Sequence, residues 1–374
     1  CIRDRVSVSP DGIPLTIGWD NRVDLSVVPL SGVTRITAIR GLSALLAGPN
    51  VLGGVVQVGV APTHVEANAP GSIRARVGAA TGGSLAADLA AGRGFGLGSG
   101  NAQVRAGGGY RQWEYQPIGA SIEQPPPGNP GEQINSDLKQ WNAFVAGRVE
   151  GNRGQWLGLS SVAFGAERGV APELHGEEPR LWRLPVKRRW VTVLGAGLGW
   201  EPGTRHSGTM SLRGAVDVGR FEIDEYDAPD YGTVTGQEIG EGRTFTLKAD
   251  AAQSLGWGQL GISITGADTR HDETVDAADQ SRYRQRLFSG AAELSLPLGG
   301  GSAEEGLGLL LGASLDGSDT PQTGSQPSRS AIWDWGGKVA ATLEIPSVRG
   351  RAHAGVSRRT RAPSLRELYS GALG

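Results

Sequence analysis

Apolar and polar residues alternate along most of the chain, and this alternation limits the possible folds more than any other feature of the sequence. Between 333 and 345, the odd-numbered positions begin with Trp333 and Trp335 and continue with apolar residues or glycine, whereas the even-numbered positions include Asp334 and Lys338. A period of two is typical of a β-strand whose two faces meet different environments. From about residue 72 onward, this pattern recurs in segments of about 9–15 residues. Further clear examples are 210–218, 245–251 and 348–356.

Strand length separates a membrane barrel from a soluble sheet. Soluble strands average about 5–6 residues, whereas a strand that crosses a bilayer at a tilt needs about 9–11. The segment 190–200 keeps one apolar parity throughout and carries Trp190 and Trp200 at its two ends. Such a segment spans roughly 24 Å when tilted, close to the ~25 Å apolar band between the aromatic girdles of outer-membrane barrels. Two core tryptophans in a long soluble strand are the alternative interpretation.

The connections between these segments supply a second, independent indication. We expect long and short connections to alternate strictly, as the extracellular loops and periplasmic turns of outer-membrane barrels do. A soluble β-sandwich adhesin, the alternative, has no reason to sort its loops in this way. The long connections are expected near 111–136, 167–185, 222–242, 268–280 and 316–328, and the short ones near 151–154, 201–204, 255–258, 298–305 and 346.

The sequence therefore predicts an all-β fold, a transmembrane antiparallel β-barrel with about 13 strands between residues 72 and 357. Bacterial single-chain barrels have even strand numbers, and an open sheet edge cannot face lipid because its backbone polar groups would be unsatisfied. We therefore expect the barrel to be incomplete in this chain. No signal-peptide pattern is present, so for an exported protein we expect the start of the precursor to precede Cys1.

Composition argues against several other classes of protein. The 36 Lys and Arg residues against 38 Asp and Glu give a net charge of −2, which offers no electrostatic reason to expect nucleic acid binding. The single cysteine excludes an intramolecular disulfide. The five histidines lack the spacing of paired metal ligands, and no G-x-S-x-G motif occurs. We therefore expect no metal site, no cofactor and no enzyme activity.

The first 65 residues carry a series of short motifs instead of long alternating segments. Asp-Gly-Ile-Pro at 11–14 is followed by Asp-Leu-Ser-Val-Val-Pro-Leu-Ser at 24–31 and by Asn-Val-Leu-Gly-Gly-Val-Val at 50–56. In order and spacing, these motifs resemble the second half of the plug domain of TonB-dependent outer-membrane receptors. Near the other end, Arg-Ala-Pro-Ser-Leu-Arg-Glu-Leu-Tyr at 361–369 resembles a barrel motif of the same family.

The resemblance implies two domains and an energised mode of import. Residues 1–65 would be the C-terminal part of the plug, and residues 66–374 the N-terminal part of a barrel that has 22 strands in the family. The protein would lie in the bacterial outer membrane, among its lipid and lipopolysaccharide, and TonB would pull on the plug through a TonB box that this chain does not contain. The ligand would be a scarce nutrient, most often a ferric siderophore and otherwise cobalamin, haem or a glycan. A passive porin or structural barrel is the alternative.

Particular residues follow from the resemblance. In the family, plug arginines pair with barrel glutamates, which assigns Arg35 and Arg40 to the plug side and Glu367 to the barrel side. The alternative is that these charges are solvated or paired locally. The plug motif supplies Gly41, Gly48, Gly53 and Gly54. Aromatic residues in the long loops are candidate ligand contacts, and exposed loop packing is their alternative role; these are Trp182, Tyr226 and Tyr231.

Overall fold

The computed structural model describes residues 6–16, 18–40, 44–65, 70–122, 128–173, 179–201, 203–298, 307–345 and 350–369. These residues form a small mixed sheet near the N-terminus, a 13-stranded antiparallel sheet and a two-stranded hairpin. Within the described part of the chain, no helix is long and apolar enough to cross a membrane.

The small sheet contains three strands, with β3 in the centre. β1 (Val6–Pro10) runs parallel to β3 (Gly54–Gly59), and β2 (Arg35–Arg40) runs antiparallel to it. Short 3₁₀ turns at Leu25–Val27 and Leu45–Ala47 interrupt the connecting segments. Residues 6–65, which contain this sheet and its connections, are called the N-terminal unit below.

The large sheet is a meander in which consecutive strands pair antiparallel. Its strands are β4 (Ser72–Ala80), β5 (Ser84–Leu97), β6 (Gly100–Trp113), β9 (Leu138–Gly151), β10 (Trp156–Val170), β11 (Trp182–Trp200), β12 (Gly208–Tyr226), β13 (Val234–Ser254), β14 (Gln259–Val275), β15 (Ser281–Leu298), β16 (Leu307–Thr323), β17 (Arg329–Ile345) and β18 (Gly350–Arg358). The hairpin of β7 (Gln116–Pro117) and β8 (Glu132–Gln133) lies in the β6–β9 connection, and helix α1 (Leu365–Tyr369) follows β18. This arrangement confirms the predicted all-β class and number of strands.

The two faces of the large sheet have opposite polarity, as the alternation predicts. The outer face exposes large apolar side chains, among them Leu194, Leu212, Leu247 and, at 63% exposure, Ile264. The inner face is polar and buried, and Thr265, next to Ile264, is only 2% exposed. A soluble sheet buries its apolar face, so this inverted arrangement is the one that a lipid-facing barrel wall requires.

The strands extend further than predicted. β13 has 21 residues, and the predicted loop at 222–242 shrinks to 227–233 because Arg220 pairs with Glu241 and Asp224 with Gln237 in the ladder. The outer face becomes charged there while the backbone hydrogen bonds continue, and a change in polarity alone does not end a strand. The prediction of strictly alternating connection lengths is therefore wrong for the later pairs: the long connection predicted at 268–280 is reduced to 276–280, which is no longer than the turn at 201–207.

Candidate functional site

The N-terminal unit packs against the inner face of the large sheet. Its apolar residues Ile13, Leu15 and Val27 share one buried cluster with Phe144 and Phe164 of the large sheet. Burial of apolar area is the main non-directional force that holds two such units together. The lumen side of β9–β12 is thus occupied by a folded domain.

Charged side chains of the barrel wall contact side-chain and backbone atoms of the N-terminal unit. Lys187 lies 2.7 Å from the carboxylate of Asp24. Burial raises the pKa of Asp24, but the charge of Lys187 and hydrogen bonds from Ser26 outweigh it, so the pKa is lowered overall. Arg189, paired with Asp217, donates to the carbonyl of Thr16 at 2.9 Å.

Arg359 and Glu293 bind the segment of the N-terminal unit at 44–48. Arg359, with a side chain only 1% exposed, pairs with Asp316 at 2.9 Å and donates to the carbonyl of Gly48 at 2.7 Å. The amide of Leu45 donates to Glu293 at 3.2 Å. Gly48 has a φ of +108°, a conformation that side chains rarely adopt. The motif glycine thus lets the segment turn toward its arginine.

Asp11 links the N-terminal unit to β10 through its side chain. It accepts hydrogen bonds from the amides of Val60 and Ala61 and from the hydroxyl of Ser160, the last at 2.5 Å. Burial raises the pKa of Asp11 even though these hydrogen bonds act in the opposite direction. The Asp-Gly motif at 11–12 therefore has an interdomain role that its composition alone did not reveal.

Trp19, in the connection between β1 and β2 of the N-terminal unit, is enclosed by aromatic residues of the barrel wall. Trp19 stacks on His271 with ring centroids 4.3 Å apart and lies 4.9 Å from Tyr283. Its carbonyl accepts a hydrogen bond from the amide of Arg366, next to α1 residue Glu367, at 2.9 Å. A Cβ at Gly18 would lie 2.3 Å from Thr269, so only glycine permits this close approach. This aromatic cluster was not predicted from the sequence.

The structure places the predicted plug–barrel residues as follows. Arg35 is exposed and forms no ion pair with any described residue, and the side chain of Arg40 lies outside the described residues. Glu367 bonds Arg361 at 2.7 Å and completes a capping box with Ser364, in which each residue's backbone amide donates to the other's side chain. The hydrogen bond from Arg361 is the main reason that the pKa of Glu367 falls to about 2.

Of the motif glycines, Gly54 begins β3 with a φ of +151°, and Gly53 is exposed just before it. Gly41 lies outside the described residues.

Of the three aromatic residues predicted to lie in long loops, Tyr231 lies in a connection, whereas Trp182 begins β11 and Tyr226 ends β12, because the strands extend further than predicted. All three lie at one end of the barrel wall. Tyr226 and Tyr231 form an edge-to-face pair with centroids 5.3 Å apart. Trp182 begins β11 opposite Glu225, and its carbonyl accepts a hydrogen bond from Asn135 at 2.7 Å. Arg180 covers the Trp182 ring at 5.0 Å. The term aromatic rim is used below for Trp182, Tyr226 and Tyr231, which lie at the same sheet end as the charged outer positions of β12–β15.

A cavity of about 1230 Å³ lies between the N-terminal unit and the inner face of the barrel wall, toward the end away from the aromatic rim. Its charged lining has more basic than acidic residues: Arg35, Arg148, Arg213, Lys248, Lys338 and Arg351 against Asp11, Asp250 and Glu293. Such a lining favours anions over cations. Because Arg35 belongs to this lining, its side chain faces the cavity.

Comparison with known proteins identifies the fold. No protein-family model matches the sequence, and no curated protein does either. Solved structures match with low sequence identity. The copper transporter OprC is 16% identical with a TM-score of 0.75, and the match covers 94% of this chain and 54% of OprC. The siderophore receptor PirA from Acinetobacter baumannii is 15% identical with a TM-score of 0.63 and coverages of 96% and 54%, and a mutant of the ferric enterobactin receptor PfeA from Pseudomonas aeruginosa is 15% identical with a TM-score of 0.67 and coverages of 98% and 55%. The chain spans about half the length of these structures. It has the fold of TonB-dependent receptors, as predicted, with an incomplete barrel.

Proposed function

We propose that the protein acts as a TonB-dependent receptor of the bacterial outer membrane and takes up a scarce nutrient with energy supplied through TonB. Residues 1–65 serve as the C-terminal part of the plug and residues 66–374 as the N-terminal part of the barrel. The solved structures with this fold are receptors and a transporter, which supports transport and gives no support to enzyme activity.

The occupied lumen is the observation that carries this proposal. A passive porin needs an open aqueous channel, whereas here a folded unit fills the lumen side of β9–β12. The unit is held by polar contacts such as those of Arg189 and Arg359. Polar contacts can be exchanged for water when force is applied, and a plug that must move benefits from such reversible attachment.

A ferric siderophore is the ligand that we favour. Two of the compared structures are described as siderophore or ferric enterobactin receptors, and one as a copper transporter. In this chain, the aromatic rim offers flat apolar surface beside Arg180 and Arg183, which are paired with Glu173 and Asp137. Such a surface suits a large chelate with aromatic groups. The basic lining of the cavity suits the negative charge of such a chelate.

Energy dependence tests the transport proposal. In the complete gene, deletion of the TonB box should abolish saturable uptake of a ⁵⁵Fe-loaded siderophore, because binding would persist while the plug could no longer be pulled. The control is the same strain carrying a deletion of equal length elsewhere in the segment before the plug. Undiminished uptake without the TonB box would contradict the proposal and favour the passive porin, which should also conduct ions in planar bilayers.

The aromatic rim is tested by ligand binding. The double variant Tyr226→Ala/Tyr231→Ala should bind the transported siderophore at least about tenfold more weakly, which corresponds to about 1.4 kcal/mol. The matched control is Trp257→Ala, an exposed aromatic residue in the turn at the opposite end of the barrel wall. Equal affinities of both variants and the unaltered protein would exclude the tyrosines from the ligand site.

A further inference from the structure

The connection between β6 and β9 is attached to the barrel wall on both sides by two neighbouring residues, Asn135 and Ser136. Both side chains are buried, although the connection itself lies at the sheet end that carries the aromatic rim. Asn135 has a φ of +50°, a left-handed conformation that asparagine adopts more readily than most residues. Asn135 and Ser136 are called the entrance clamp below.

The side-chain amide of Asn135 closes the end of the β10–β11 ladder. Val170 and Trp182 form the outermost pair of that ladder, and the Nδ2 atom of Asn135 donates to both of their carbonyls, at 2.9 and 2.7 Å. A Cβ at Gly169 would lie 2.3 Å from the backbone and side-chain oxygens of Asn135, so only glycine permits this close approach. The clamp therefore holds the connection directly against the ends of β10 and β11.

The oxygen of the same side chain is bound as well. Arg183 donates to Oδ1 of Asn135 at 2.7 Å and to the two carboxylate oxygens of Asp137 at 2.9 and 2.7 Å. The amide of Gly169 donates to the carbonyl of Asp137 at 3.1 Å. Both polar atoms of the Asn135 side chain thus have partners, and hydrogen bonds that involve a charged group are the stronger kind.

Ser136 binds the connection to the strand on its other side. Its carbonyl accepts a hydrogen bond from the indole of Trp113, at the end of β6, at 2.8 Å. Its hydroxyl accepts from the amide of Gln116 at 2.7 Å and donates to the carbonyl of Gln133 at 2.6 Å. The clamp therefore joins β6 to β10 and β11 at the end of the wall.

The clamp lies beside the aromatic rim. It binds the backbone of Trp182, and the amide of Tyr226 donates to the carbonyl of the preceding residue, Leu181, at 2.9 Å. Burial raises the pKa of the Tyr231 hydroxyl and Asn135 acts on it in the opposite direction, so the Asn135 side chain lies near that hydroxyl. A displacement of Asn135 would consequently disturb the rim.

We propose that Asn135 is a positioning residue that keeps the entrance of the barrel preformed, so that the ligand meets an aromatic rim that is already in place. This inference rests on the proposed function, in which the rim binds the ligand. Asn135 acts through the rim and not by contact with the ligand. A preformed site avoids the entropy loss of ordering loops and side chains during binding, which raises affinity. The β6–β9 connection should then stay in place when the ligand binds.

The first test needs no ligand. In the complete protein, with Cys1→Ser, spin labels at Ala120→Cys and Thr233→Cys should give one narrow distance by pulsed electron paramagnetic resonance; both positions are exposed, in the β6–β9 and β12–β13 connections. Asn135→Asp should broaden this distribution. The carboxylate tolerates the positive φ and still accepts from arginine, but it repels the two carbonyls that the amide bound. The matched control is Asn129→Asp, the same change at an exposed position of the same connection.

The second test uses ferric enterobactin as the probe, the ligand named for one of the compared structures. Asn135→Asp should raise the concentration for half-maximal binding and uptake at least about tenfold, because the ligand must then order the connection itself. The maximal uptake rate should stay unchanged, whereas a misfolded barrel would lower it. Asn129→Asp should behave like the unaltered protein, and heat-modifiable migration in gel electrophoresis checks that both variants are folded.

Three results would overturn the inference: a narrow distance distribution in Asn135→Asp, a distance that changes when the unaltered protein binds ferric enterobactin, and equal half-maximal concentrations for Asn135→Asp and Asn129→Asp. Failure of the proposed function looks different. If the unaltered protein bound no ferric enterobactin, the favoured ligand would be wrong, and the ligand-free distances would still decide whether Asn135 holds the entrance. Uptake that persists without the TonB box would contradict only the energised transport.

Discussion

The inner and outer faces of the barrel wall belong to the same strands and obey opposite rules. On β13, Leu247 points outward and is exposed, whereas its neighbours Thr246 and Lys248 point inward and are buried. In that position, the Nζ atom of Lys248 lies 3.1 Å from the carboxylate of Asp250. Burial here does not follow hydrophobicity, because the lumen is filled by the N-terminal unit while the outer face meets lipid.

The two faces therefore place different requirements on their side chains. An inward charge that packs against the N-terminal unit needs a partner, since little water reaches it there. An outward apolar residue needs no partner at all, only a surrounding of lipid. Where the outer face carries charge beyond the apolar band, as at Arg220 and Glu222, neighbouring side chains form ion pairs with each other.

The largest effect is expected where an inward charge loses its partner. Arg359→Gln leaves the partly buried Asp316 without its ion pair and frees the carbonyl of Gly48, so the free energy of unfolding should fall by about 3–5 kcal/mol. Urea unfolding in detergent measures this change. The control is Arg351→Gln, whose side chain is 66% exposed and pairs with Glu344, and which should cost less than about 1 kcal/mol. Equal losses would remove the distinction between buried and exposed pairs.

A somewhat smaller effect is expected for a charge placed in the apolar band. Leu212→Arg puts a cation on the lipid-facing side and should lower the free energy of unfolding in lipid vesicles by about 2–4 kcal/mol. Thr342→Arg makes a similar change on the inner face, where the side chain lines the cavity, and should shift stability by less than about 0.5 kcal/mol. If the two variants lost equal stability, the outer face would not be in contact with lipid.

The faces were predictable from sequence because side-chain direction follows the period of two directly. Strand ends were not, since Arg220 and Glu222 continue a ladder in which only the polarity changes. The contacts that hold the N-terminal unit could not be predicted from the sequence either, because Arg359 and Gly48 are 311 positions apart and no periodicity relates them. One local contact was available, because the spacing of Ser364 and Glu367 is the S-x-x-E signature of a capping box.

That local contact gives the smallest predicted effect, and it depends on pH. The pKa of Glu367 lies at about 2, below its ordinary value of 4.5, because Arg361 and Ser364 donate to the ionised carboxylate. A lowered pKa in the folded state means that Glu367 stabilises the fold above its unfolded pKa and loses this contribution as pH falls from about 4.5 toward 2. In Glu367→Gln, the thermal midpoint should therefore depend less on pH across that window than in the unaltered protein.

The variant Ser364→Ala separates the cap from the charge. It removes the hydroxyl that accepts from the amide of Glu367 and donates to its carboxylate, and it should cost about 1 kcal/mol at neutral pH, while the pair of Glu367 with Arg361 and the hydrogen bond from the amide of Ser364 stay in place. The part of the pH dependence that comes from Glu367 should then largely persist in Ser364→Ala and be absent in Glu367→Gln. If Glu367→Gln left the pH dependence unchanged, other carboxylates inside the barrel would dominate acid unfolding. The pH-sensitive contact would then lie at the interface with the N-terminal unit and not at Glu367.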